Sequence, residues 1–127
     1  MYKYIFVFIV ALFLVSCNVK PDVPSLTMEK FVEKKDADSN LIILDVRTPK
    51  ELVGPLGKLE NVKNIPVQEL SGRVEELEKY RDKTIAVICR TGNRSTFATK
   101  ILIDNGYDAY DVLGGMKEYR SNYGDKN

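Results

Sequence analysis

Hydrophobic positions fall into two regimes along the chain. From Tyr4 to Val15 they run unbroken behind Lys3 and end at Ser16 and Cys17. From Thr27 onward they recur at helix and strand spacings. Thr27–Lys35 places Met28, Phe31 and Val32 together with Glu29 and Glu33 opposite, which predicts a helix. Leu41-Ile42-Ile43-Leu44 is a short apolar run into Asp45-Val46-Arg47, as expected for a buried strand of a parallel sheet. Residues 48–63 read as irregular, and Asn64–Val67 as a short apolar stretch. Leu70, Val74 and Leu77 predict an amphipathic helix over Glu69–Tyr80. Thr84–Cys89 is the strongest strand; Ser95–Asn105 is a helix with Ala98, Ile101 and Leu102 on its apolar face and Gly106 placed to end it. A strand over Tyr107–Val112 and a helix over Met116–Tyr123 follow. This alternation predicts one α/β domain, an open and mostly parallel sheet flanked by helices on both faces. Ligands of such sheets sit beyond the carboxyl ends of the strands, which singles out the loop after Thr84–Cys89.

The unbroken apolar run has a different meaning. Tyr4–Val15 spans about 18 Å as a helix, short of the ~30 Å hydrocarbon core. A cation, an apolar run and a small residue before a break form the pattern of an export signal. The ending Leu14-Val15-Ser16-Cys17 resembles the lipobox of bacterial lipoproteins. That resemblance implies cleavage before Cys17, lipid on its sulfur, and a protein anchored to membrane on the extracytoplasmic side of the cell envelope. The alternative is an ordinary secreted cysteine after an ordinary signal. The expected organisation is therefore a signal peptide over 1–16, a lipidated Cys17 and tether over 17–26, and a folded domain over 27–123. The tether expectation rests on Asn18–Ser25, which has two prolines and no periodicity.

Composition narrows the chemistry. The 127 residues contain no His, which excludes His triads, His general bases and His-ligated metals. Two Cys exclude a Cys-rich zinc site, so no metal site is expected. With 19 Lys plus Arg against 18 Asp plus Glu and no block of like charge, nothing marks a nucleic-acid surface.

The loop reads Cys89-Arg90-Thr91-Gly92-Asn93-Arg94-Ser95. Three features favour a thiolate at Cys89. Successive loop N–H groups can converge into an anion nest, a helix N-terminus adds partial positive charge, and Arg90 and Arg94 add full charges. Cys89 is thus the candidate nucleophile, with Arg90, Thr91, Gly92, Asn93 and Arg94 as the candidate substrate cradle. The bland alternative is a small hydrophobe closing a core strand.

The loop resembles the active-site loop of the rhodanese sulfurtransferases, and the likeness extends to both sides. Asp45-Val46-Arg47 with Pro49 and Glu51, Asn64-Ile65-Pro66, Asn105-Gly106-Tyr107 and Leu113-Gly114-Gly115-Met116 are similar to that family's segments, in the same order. The resemblance implies a rhodanese-like domain in which Cys89 takes a sulfane sulfur from thiosulfate or a persulfide and passes it to a thiophilic acceptor. The partners it implies are small anionic sulfur donors and thiol acceptors, with no cofactor. Cys89 to Arg94 is Cys-x4-Arg, the rhodanese spacing, where phosphatases of the same fold use Cys-x5-Arg. One segment departs: Gly57-Lys58-Leu59-Glu60-Asn61-Val62 stands where the family carries a Gly-His-Ile sequence. That difference keeps a second reading open, a catalytically silent binding or sensing module. Asp45, Arg47 and Glu51, a charged triplet at a strand end, could touch substrate; the favoured expectation is that Arg47 and Glu51 pair and hold the loop that follows them, and that Gly114-Gly115 form a backbone turn.

Overall fold

Five short strands, all parallel, form one sheet in the computed structural model, which describes residues 19–124. They are β1 (Ser25–Leu26), β2 (Ile42–Asp45), β3 (Lys63–Asn64), β4 (Thr84–Ile88) and β5 (Asp108–Val112), in the order β1-β5-β4-β2-β3. The helices are α1 (Met28–Ala37), α2 (Pro49–Leu52), α3 (Val67–Leu70), α4 (Asn93–Asp104) and α5 (Gly115–Tyr123). The expected signal segment 1–16 and Cys17 lie outside the described residues.

Side chains alternate across the pleat and so build two cores. On one face Leu44 and Val46 of the β2 segment and Ile85, Val87 and Cys89 of the β4 segment pack with Leu70, Ala98 and Leu102 from α3 and α4. On the other, Ile43, Ala86 and Ile88 pack with Phe31 of α1 and Met116 of α5. The α/β architecture is thus the expected one, with helices on both faces. From β2 the chain runs outward to β3 and then crosses back past β2 to β4 on its other side. The crevice outside the carboxyl ends of β2 and β4 is the topological switch point.

Three expectations are corrected. The segment Glu69–Tyr80 is not one amphipathic helix: α3 ends at Leu70 and a 3-10 helix occupies Val74–Tyr80. Gly72 lies in the break, and Gly72, Arg73 and Glu76 N–H groups each donate to the carbonyl three residues back. Leu70 and Leu77 are buried all the same, because the tighter winding still turns both inward. Residues 48–63 hold a short helix, α2, started by a capping box. Thr48 Oγ1 accepts from the Glu51 N–H at 3.4 Å, and the Glu51 carboxylate accepts from the Thr48 N–H at 3.3 Å. Finally, Ser25 and Leu26, expected at the end of the tether, form edge strand β1 against Asp111 and Val112.

Candidate active site

Cys89 directly follows β4, and its sulfur lies where the chain turns into α4. Gly92, at φ +104°, makes that turn as the N-cap of α4 and donates its N–H to Cys89 Sγ at 3.0 Å. The loop carbonyls point elsewhere. Those of Cys89 and Arg90 accept from the Met116 and Lys117 N–H groups at 2.8 and 3.0 Å, in the first turn of α5. The Gly114-Gly115 turn permits this approach. A Cβ on Gly115, at φ +61°, would stand 2.5 Å from the Cys89 and Arg90 carbonyl oxygens. The orphan N–H groups of α5 thus draw the loop carbonyls away from the sulfur.

The end of β2 braces the loop from the other side. Arg47 and Asp45, 1% and 0% exposed, form a buried forked pair, with Nη2 to Oδ2 at 2.7 Å and Nε within 3.1 Å of both oxygens. The Asn64 side-chain amide donates to the Asp45 and Arg47 carbonyls, both at 2.9 Å. Arg47 reaches Glu51 only through that residue's backbone carbonyl, at 3.4 Å. The expected Arg47–Glu51 ion pair is therefore replaced by two others. Asp45, two residues back and already buried, captures Arg47. The capping box turns the Glu51 carboxylate toward Arg94, whose terminal nitrogens donate to it at 2.6 and 2.8 Å. Hydrogen bonding from Arg94, reinforced by Thr48, holds the Glu51 carboxyl down at about 2 despite partial desolvation. The Arg94 guanidinium is raised, chiefly by the same bonds.

The candidate cradle thus separates into parts. Cys89 and Gly92 are in direct contact, and Arg94 faces the loop while committed to Glu51. Thr91 and Asn93 are exposed. Arg90 is exposed too and, with Lys50, Pro55 and Leu56, lines a cavity of about 510 Å³ beside the loop. The sulfur itself is enclosed, Cys89 being 1% exposed.

Two residues at the sulfur escaped the sequence reading as site residues. Ser95 Oγ accepts from the Cys89 thiol at 3.3 Å and donates to Asp111 Oδ1 at 2.6 Å. Asp111 is 2% exposed, and Thr96 Oγ1 donates to its other oxygen at 2.7 Å. A signal for Asp111 was present. In Asp108-Ala109-Tyr110-Asp111 the period of two puts an acid on the same face as buried Ala109, where charge is rare without a purpose.

Known proteins resemble this chain in sequence and in fold. The family described as Rhodanese-like domain matches residues 27–122. The putative sulfurtransferase YtwF of Bacillus subtilis is 29% identical over 106 residues, covering 84% of this chain and 99% of that protein. The putative sulfur carrier protein YrkF of the same organism is 32% identical over 98 residues. That match covers 76% of this chain but only 51% of YrkF, so the chain spans about half of that relative. Among solved structures, a rhodanese-related protein from Thermoplasma volcanium aligns with a TM-score of 0.70 and 37% identity, covering 80% of this chain and 94% of that one.

Proposed function

This chain belongs to the rhodanese-like domain family, and from that membership we propose that it is a sulfurtransferase that carries sulfane sulfur on Cys89. The Cys89 thiolate attacks the outer sulfur of thiosulfate or of a persulfide. The donor's S–S bond breaks, its electron pair leaves with sulfite or a thiolate, and Cys89 becomes a persulfide. Cyanide, sulfite or a thiol then removes the outer sulfur and restores the thiolate, a covalent two-step cycle with ping-pong kinetics.

The observation that carries this reading is the Gly92 N–H, 3.0 Å from Cys89 Sγ, in a loop whose neighbouring carbonyls are bound by α5. Such a loop stabilises negative charge on sulfur without a general base from His. Arg94, tied to Glu51, serves chiefly to hold the loop, and exposed Arg90 is left to attract the anionic donor. In Cys89→Ser, transfer from thiosulfate to cyanide falls to background while urea unfolding stays cooperative. Turnover retained in that variant overturns the mechanism.

The burial of Cys89 favours one rival, a silent rhodanese-fold binding module. It predicts no sulfur uptake at all from thiosulfate, even over long incubation. We place the domain outside the cytoplasm, as a further part of the proposal: signal 1–16, lipid on Cys17, a tether from there, and the folded domain held at the membrane surface of the cell envelope.

A further inference from the structure

Cys89 Sγ, Ser95 Oγ and Asp111 Oδ1 form a line with spacings of 3.3 and 2.6 Å. All three residues are buried, at 1%, 0% and 2% exposure. Among the described residues no Lys or Arg pairs with Asp111; its hydrogen-bond partners are the hydroxyls of Ser95 and Thr96, both on α4. In register beside it, β1 presents Ser25 and β4 presents Val87. The charged groups around Cys89 are otherwise engaged or remote: Arg94 with Glu51, Arg47 with Asp45, Arg90 at the surface, and Glu118 over Gly114.

We propose that Asp111 is the acceptor of the Cys89 proton, passed through the Ser95 hydroxyl. Two negative charges bridged by a single hydroxyl away from water repel strongly, and the relay relieves that repulsion by letting one proton serve both groups. In the resting form that proton is on sulfur: the thiol donates to Ser95, and Ser95 donates to the Asp111 carboxylate. In the reactive form both bonds reverse. Protonated Asp111 donates to Ser95, and Ser95 donates to the thiolate. Each state keeps the Cys89–Ser95–Asp111 line bonded, while the single Thr96 hydroxyl proton lies between the second carboxyl oxygen, at 2.7 Å, and the Gly92 carbonyl, at 2.8 Å. No proton crosses to solvent. When the thiolate takes sulfur from the donor, negative charge moves one atom outward toward the loop amides, and Asp111 keeps its proton. The proton returns to sulfur after the acceptor has removed the outer atom. The relay supplies what a chain without His lacks. Because Asp111 acts through Ser95, it is a positioning and proton-holding residue rather than one that touches substrate.

This inference rests on Cys89 as the sulfur carrier, but its test reads the thiolate directly and so fails separately from sulfur transfer. The full chain is alkylated with iodoacetamide from pH 5 to 10, and the Cys89 peptide is quantified by mass. In Asp111→Asn the alkylation midpoint moves to higher pH, and the rate at pH 7 falls at least about tenfold. Ser95→Ala reproduces the loss. A folded Asp111→Asn protein whose midpoint is unchanged or lower overturns the relay, since Asp111 then acts only as a fixed negative charge. Should Asp111→Asn fail to fold, infrared spectroscopy of the wild-type protein decides. A protonated-carboxyl band growing as the Cys89 S–H band disappears supports the relay, and its absence refutes it.

Discussion

The Glu51 carboxylate both closes the capping box of α2 and receives the two terminal nitrogens of Arg94. It thereby offsets a charge that would otherwise face the sulfur. Glu51 is held at about 2 against an ordinary 4.5, first by the Arg94 hydrogen bonds. A carboxylate depressed in the folded state stabilises above its unfolded value and loses that contribution as the pH falls through its folded value. The window here is pH 4.5 down to about 2. Glu51→Gln is expected to cost about 1 kcal/mol or less at pH 6, because both partners are about a third exposed. The cost shrinks toward zero as the pH falls to 2, measured by urea unfolding at both ends; a cost independent of pH contradicts the pair. No local pattern announces this pairing, because Glu51 and Arg94 stand 43 residues apart and meet only when β2 and β4 are neighbours. Cys89 was legible because its whole loop is contiguous. Ser95 and Asp111, 16 residues apart, join only through the packing of α4 on β5.

α5 is a structural helix whose first turn also shapes the site. Its Met116 and Lys117 N–H groups hold the Cys89 and Arg90 carbonyls, and the contact is close because residue 115 has no side chain. Gly115→Ala places a Cβ 2.5 Å from those carbonyl oxygens at φ +61°. It is expected to cost about 1–3 kcal/mol in urea unfolding and to depress sulfur transfer further than its stability loss accounts for. Gly72→Ala is the contrast: its Cβ would meet nothing nearer than 3.8 Å. Equal activities in the two variants would show that α5 does not set the loop. The central strands β2 and β4 were readable because they are apolar on both faces, and α1 because its apolar positions have helical spacing. The 3-10 segment was not, since Leu70, Val74 and Leu77 fit an α-helical period while hydrogen bonds between near neighbours tightened the winding. β1 was illegible for the opposite reason. Two residues become a strand only by pairing with distant β5.

Across the whole molecule, the segments Asp45–Glu51, Asn64–Pro66, Cys89–Ser95 and Gly114–Met116 converge at the carboxyl ends of β2 and β4, at the switch point, while Asn105-Gly106-Tyr107 lies at the opposite end of the sheet, ahead of β5. Asn64 ties β3 to the end of β2, and the α5 N-terminus ties β5 to the loop after β4. The order of segments was plain in the sequence, and their convergence was not, because it depends on strand order. The domain's first strand, β1, already begins at Ser25, so the proposed anchor at Cys17 would hold the domain close to the membrane surface. Cys17→Ser is expected to abolish lipid attachment and either release the protein or leave its signal uncleaved. Fully processed Cys17→Ser protein partitioning into membranes would contradict the anchor. The central claim, that Cys89 carries sulfur, is tested most directly by weighing the intact protein after incubation with thiosulfate. The predicted result is a gain of one sulfur atom, mapped to the Cys89 peptide, lost on adding cyanide and absent in Cys89→Ser. An unchanged mass, or a cyanide-labile sulfur found elsewhere in the chain, would contradict it.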